Sequence, residues 1–166
     1  MFELKRLTPE GVEIALRKVE RYRLLNEPWQ AESICLDILE LDPDHQEALV
    51  SLILSITDQF KAEEGKRKKE ALELIPRLRS EYQREYYSGI IWERRATTLL
   101  ARRSPGFGPV AYQHLRRAME CYERAEKLET PGDDPAIVRW NSCARMIMRH
   151  KEIRPAAEET REVFLE

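Results

Sequence analysis

The chain has 166 residues, 35% of them charged, with 28 Lys and Arg against 30 Asp and Glu for a formal net charge of -2. That near balance excludes steering of nucleic acid by the whole molecule, and a 42% apolar content interleaved with the charges excludes a disordered polymer. The opening MFELKRLTPEG has no apolar signal segment and no apolar run approaches the ~18 residues of a span, so neither secretion by that route nor membrane insertion is expected.

The length fits one domain over residues 1–166, large enough to bury a core without a covalent staple. Cys35, Cys121 and Cys143 are odd in number, show no paired spacing and each sit in a helical pattern. They read as buried apolar side chains, and a reducing, cytoplasmic location is the matching expectation.

Thr8-Pro9-Glu10 combines an N-cap, a first-turn proline and a first-turn acid, and opens a helix to about Leu25 with Val12, Ala15, Leu16, Val19 and Tyr22 inward. Asn26-Glu27-Pro28 breaks it. A second helix follows to Leu41, with Ala31, Ile34, Cys35, Ile38 and Leu39 apolar, and Asp42-Pro43 stops it. The next segment, His45 to Phe60, carries Ala48, Leu49, Leu52, Ile53, Ile56 and Phe60, with Val50 and Leu54 on a neighbouring face. So wide an apolar arc predicts a helix that touches protein on more than one side. From about Lys61 to Leu74 a fourth helix places Ala62, Gly65, Leu72 and Ile75 on one stripe, and Pro76 closes it.

Arg77 to Arg103 reads as one uninterrupted helical pattern through Leu78, Tyr82, Gly89, Trp92, Ala96 and Leu99. About 27 residues would reach ~40 Å, so the helix either projects or breaks at Ser80 or at Ser88-Gly89. Gly89 suits a close helix crossing or a bend. The run Ser104-Pro105-Gly106-Phe107-Gly108-Pro109 reads as a loop, since its glycines and prolines oppose helix. Val110 to Leu128 is patterned by Leu115, Ala118, Tyr122, Ala125 and Leu128, and Pro131 to Pro135 separates it from a helix over Ala136 to His150 with Ile137, Trp140, Cys143, Ala144, Ile147 and Met148. A final helix around Pro155 to Phe164 offers Ala156 or Ala157, Val163 and Phe164 as a cap, bringing the count to about eight.

The spacing Ala31, Cys35, Ile38 with Pro43 behind it returns as Ala118, Tyr122, Ala125 with Pro131 behind it, and Ala31 to Gly65 and Pro43 to Pro76 are separated by 34 and 33 residues. This combination resembles, in divergent form, the tetratricopeptide repeat (TPR) family. The resemblance implies an all-α, right-handed superhelix of stacked antiparallel helix pairs, a TPR-like α-solenoid of about three repeats over 8–43, 44–76 and 77–131 with a loop insertion at 104–109, and a closing pair over 133–165. It also implies a protein-protein interaction scaffold or adaptor, chaperone-like in use, that holds a peptide or amphipathic helix in a concave groove lined by the first helix of each pair. On the inner side of those helices the candidates are Val50, Leu54, Tyr86, Ile90, Arg94, Trp140, Asn141 and Arg145. Apolar anchors would supply buried area and an arginine would grip a carboxylate. Where family members that grip a C-terminal carboxylate place lysine and asparagine, this chain has Leu16, Glu20, Val50 and Leu54. A twofold contact between copies of the chain is the other use of such a strip.

Little in the chain suggests chemistry. His45, His114 and His150 are scattered and read as helix-end or surface groups, and no cysteine pairs with them at metal-ligand spacing. No Gly-rich phosphate loop or metalloprotease helix motif occurs, and Glu63-Glu64 and Glu158-Glu159 point apart along their helices. No cofactor, no metal and no enzymatic activity are expected, a helical-bundle enzyme with an unrecognised site being the alternative. Lys66-Arg67-Lys68-Lys69 and the doublets Arg94-Arg95, Arg102-Arg103 and Arg116-Arg117 allow a second alternative, weak nucleic-acid binding. Each run spreads around its helix instead of concentrating on one face, so nucleic acid is not the expected partner.

Overall fold

A computed structural model describes residues 2–61 and 64–156. Among the described residues the fold is all-helical, with seven α-helices: α1 (Val12–Leu24), α2 (Pro28–Leu41), α3 (Gln46–Thr57), α4 (Glu64–Leu74), α5 (Glu81–Arg102), α6 (Phe107–Glu126) and α7 (Pro135–Arg149). Single 3-10 turns at Pro9–Gly11 and Ile75–Arg77 precede α1 and follow α4. The count is seven where eight were expected. The anticipated last helix begins at Pro155, but residues 153–156 run without helix and the rest of that stretch lies outside the described residues.

Local chemistry explains most boundaries. Asn26 takes a left-handed φ of 59°, which turns the chain out of α1, and Pro28 then occupies the first turn of α2, where its missing N–H is not needed. His45 caps α3, its Nδ1 accepting from the Ala48 N–H at 3.3 Å. Ser80 caps α5, accepting from the Gln83 N–H at 3.2 Å, so the long pattern breaks there and α5 has 22 residues, or ~33 Å. The expected 104–109 loop is shorter than its composition suggested. Gly106, at φ 75°, ends it, and Phe107, Gly108 and Pro109 belong to the first turn of α6. A proline tolerated at a helix start is the physical reason.

Each helix packs on its chain neighbours, and in addition α1 touches α3 and α3 touches α5. Two large buried clusters and a small third, of Ala15, Ile38 and Ala48, result. Val19, Ala31, Cys35, Leu49, Ile53, Phe60, Leu78 and Ile91 join α1 to α5, and Ile90, Ala96, Ala111, Leu115, Ala118, Tyr122 and Cys143 join α5 to α7. Gly89 allows the close crossing of α5 on α6, since a Cβ there would stand 2.5 Å from the Tyr122 ring. At Gly108 the returning chain passes equally close: a Cβ would lie 2.0 Å from the Glu152 carbonyl oxygen, and Ile153 behind it is buried in the second cluster.

The small-residue pattern is packed alike only in α2, which buries Ala31, Cys35 and Ile38, and in α6, which buries Ala118, Tyr122 and Ala125. In α4 the expected counterpart Gly65 is exposed with nothing within 4 Å of its Cβ position, and Ala71 is the buried residue. The neighbouring α4 surface is instead tied by charge: Arg67 reaches Glu32 of α2 and donates to Glu70 at 2.6 Å, while Gln59 donates to Glu32 at 2.5 Å.

Candidate functional site

Helices α1, α3 and α5 end or pass at one level on the same side of the domain, and three charges meet there. Asp58, just past the end of α3, accepts from Arg23 Nε of α1 at 2.8 Å and from Arg94 Nη1 of α5. Its side chain is 18% exposed, against 22% and 32% for the two arginines. A carboxylate so withdrawn from water needs both cations, and the shared contact holds three helices in register. One carboxylate against two guanidinium groups leaves a surplus positive charge. Each arginine commits one donor to Asp58, and among the described residues the other donors of both have no acceptor in the protein.

These groups line an open cleft of about 450 Å³ with Glu20, Leu24, Asn26, Pro28, Thr57, Phe60, Lys61, Thr97 and Thr98. The threonine hydroxyls are used locally, Thr57 donating to the Leu54 carbonyl at 2.8 Å and Thr97 and Thr98 both to the Arg94 carbonyl at 2.9 Å. The arginines, with Lys61 and Asn26, are therefore the cleft's available donors. Leu24, 82% exposed, is its apolar rim.

A second polar cluster lies between α5, α6 and α7. Glu93 is buried; it accepts from the Tyr122 hydroxyl at 2.5 Å and from Arg139 Nη1 at 3.1 and 3.3 Å. Arg139 Nε also donates to the Tyr86 hydroxyl at 3.3 Å. Tyr86 stacks on Tyr82 at 5.6 Å and leans on Tyr122 at 5.9 Å. Burial and then the Glu93 carboxylate push the Tyr122 phenol far above its ordinary range, so its proton stays on the hydroxyl that Glu93 needs as donor. The attached cleft, about 370 Å³, is lined by Tyr86, Glu93, Asp133, Asp134, Val138, Arg139 and Ser142. Glu129 completes this end by accepting from Tyr82 at 3.2 Å and from the Ala136 N–H at 2.7 Å, which caps α7.

The candidate residues read from the sequence fall in several places. Leu54, Tyr86 and Ile90 share one cluster, Ile90 at only 2% exposure, while half-buried Val50 packs against the other. Arg94 lines the first cleft and Tyr86 the second. Trp140 lies elsewhere. Its indole N–H donates to Glu123 Oε1 at 2.9 Å, and it lines a separate small cleft with Glu123, Glu126 and Ile137. Asn141 is half-buried and Arg145 exposed.

Sequence reasoning missed Arg23, Asp58 and Arg139. Two of them were within reach: extending the inner stripe Leu16-Glu20 by three residues gives Arg23, and extending Val50-Leu54 by four gives Asp58.

His114 corrects an expectation. It is no surface group but a buried residue of α6, 8% exposed, with its ring 5.2 Å from Trp92 and no partner for Nδ1 among the described residues. Burial lowers its pKa to about 4, with Lys68, Arg95 and Arg117 adding to the shift. The three thiols are all buried, and burial is the main cause that pushes Cys35 and Cys143 up to about 12 and Cys121 up to about 11. Since the thiolate is the reactive form, the native protein should take up little iodoacetamide at pH 8, and all three cysteines should label once urea unfolds it. Rapid labelling of the folded chain at any of the three would contradict these environments.

Among the described residues no three His, Cys, Asp or Glu side chains converge as a metal set, and no helix is long and apolar enough to cross a membrane. What the described residues define is an all-helical domain with two charged clefts along one series of helices. No family model, no curated protein and no solved structure matches the chain.

Proposed function

We propose that this chain is a protein-interaction scaffold, a TPR-like stack of helix pairs whose leading helices α1, α3, α5 and α7 face a common hollow. There it holds an acidic segment of a partner, an extended peptide or an amphipathic helix. The contacts of α1 with α3 and of α3 with α5 support such a stack, since leading helices of successive pairs would lie side by side.

The observation that carries the functional reading is the pair of arginines on Asp58. Two guanidinium groups from different helices are held in place by one carboxylate at the mouth of a 450 Å³ cleft, with donors to spare. A carboxylate on a partner would find two pre-positioned cations, so little ordering is needed at the moment of binding. The exposed Leu24 would take the apolar neighbour of that carboxylate.

The test starts with selection of 12-residue peptides from a displayed library on the purified protein. Recovered peptides should carry Asp or Glu beside an apolar residue. Calorimetry should show about tenfold weaker binding when the acid is amidated, or when Arg23→Gln or Arg94→Gln is made, the loss of one charge-assisted contact. Each variant leaves Asp58 one arginine, so melting should fall without loss of the fold, and binding is compared at a temperature where circular dichroism shows each variant fully folded. Peptides bound equally well in acidic and amidated form would remove the proposed role of the cleft.

A further inference from the structure

The two charged clefts lie on either flank of α5 and carry opposite surpluses. The first brings Arg23, Lys61 and Arg94 against Glu20 and Asp58, three cations to two carboxylates. The second brings Glu93, Asp133 and Asp134 against Arg139 alone, three carboxylates to one guanidinium. A single helix separates them. Glu93 and Arg94 are consecutive in α5, and the turn of about 100° between neighbours sends one side chain to each cleft.

The negative surplus of the second cleft is not taken up inside the fold. Arg139 is engaged by Glu93 at 3.1 Å and by the Tyr86 hydroxyl at 3.3 Å. Among the described residues neither Asp133 nor Asp134 has an ion-pair or hydrogen-bond partner for its carboxylate. Asp134 stands where an aspartate ordinarily caps a helix. At α7 that task falls to Glu129, which accepts from the Ala136 N–H at 2.7 Å, and the Asp134 side chain makes no cap bond and lines the cleft instead. The Tyr86 ring lines it too. Carboxylates beside an aromatic ring suit an ammonium or guanidinium group, since both attract a cation.

We propose that the second cleft takes a lysine or arginine of the same partner segment whose acid enters the first, so that the segment recognised is bipolar. This rests on the scaffold reading above, which turns both clefts to one hollow. The lining residues of α5 set the spacing. Tyr86 and Glu93 are centred about seven residues before Arg94, Thr97 and Thr98, ~10 Å along an axis whose helix is itself ~10 Å across. A segment crossing α5 obliquely therefore covers ~14 Å from cleft to cleft. The Arg23 and Arg94 side chains are only 22% and 32% exposed, and an extended chain reaches such recessed groups more closely than a helix does. At ~3.3 Å per residue, the base stands about four residues from the acid.

The experiment is selection from a displayed library of 12-residue peptides, with Asp-Leu fixed at the centre and the other positions random. It is run on the whole chain and on an Asp133→Asn, Asp134→Asn double variant, whose asparagine keeps the capping chemistry and whose fold is checked by circular dichroism. On the wild-type chain lysine and arginine should be enriched about four residues from the Asp, and on the double variant that enrichment should vanish. In calorimetry, changing that lysine of a recovered peptide to glutamine should weaken binding to the wild-type chain about fourfold, the loss of one exposed ion pair, and should cost nothing further on the double variant. Lysine and arginine enriched at every random position alike, or an equal loss on both chains, would overturn the second cleft as a specific contact while leaving the first in place. Failure to recover any Asp-Leu peptide would sink the scaffold reading and this inference together.

Discussion

Replacing Tyr122 by alanine should destabilise the fold by ~3–5 kcal/mol, the range for emptying a fully buried aromatic position. Tyr122 is wholly buried; its ring fills the crossing of α5 and α6 and its hydroxyl holds Glu93. Truncation therefore opens a cavity and also leaves the Glu93 carboxylate, 11% exposed, with Arg139 alone. Tyr122→Phe separates the two effects, keeping the volume and removing the hydrogen bond, and should destabilise by ~1–3 kcal/mol.

Gly89 gives the internal check. Alanine is a better helix former than glycine by ~1 kcal/mol, yet its Cβ at residue 89 would sit 2.5, 2.8 and 2.9 Å from three Tyr122 ring atoms. Gly89→Ala alone should destabilise by ~1–3 kcal/mol through overpacking. In the Tyr122→Ala background the same change should become neutral or stabilising, since the ring it strikes is gone. Urea unfolding of the four chains measures the coupling, and additivity within ~0.5 kcal/mol would show that the ring does not rest on Gly89.

The second large effect is on pH. In the unfolded chain His114 titrates near its ordinary 6.5, and in the folded protein burial, then Lys68, Arg95 and Arg117, hold it down to about 4. Below pH 6.5 the unfolded state binds a proton that the folded state refuses, so stability is complete above about 6.5 and is lost as the pH falls toward 4. The loss reaches ~3 kcal/mol at its fullest. Carboxylates also titrate at the acid end of this window, so the informative quantity is a difference. Between pH 7 and 4.5 the wild-type chain should lose more stability to urea than His114→Gln does, and parallel curves would place the imidazole in water.

Much of the helical order was legible because capping chemistry is local. Thr8-Pro9, Pro28, Asp42-Pro43 and Pro135 act on the backbone beside them, and the boundaries they predict for α1, α2 and α7 lie within a few residues of those observed. Pro109 misled for the same reason: one residue cannot distinguish a loop from the first turn of a helix, and Gly106, free to take φ 75°, decides it. Gly65 misled differently. Its 34-residue offset from Ala31 matches a repeat, but the packing that would make it equivalent depends on neighbours far along the chain, and those put Ala71 inside.

The candidate site was less legible because its chemistry is tertiary. Nothing adjacent to Asp58 in the chain announces that Arg23 and Arg94, 35 and 36 residues away, will share it. His114 was more accessible than its reading, for it precedes Leu115 on the stripe Ala111, Leu115, Ala118, Tyr122 that α6 buries. Trp140 shows the reverse. An aromatic chosen as a groove residue turns to Glu123 of the preceding helix, because one residue along a helix is a rotation of about 100°.

Backbone amide shifts of the isotope-labelled chain, followed as a selected acidic peptide is added, test the scaffold reading most directly. The account predicts that the largest changes trace Arg23, Asp58, Arg94 and Thr97 across α1, α3 and α5, and that the amidated peptide leaves them in place. Changes confined to α4 and α6, or a peptide that moves no resonance of the inner cleft, would contradict it.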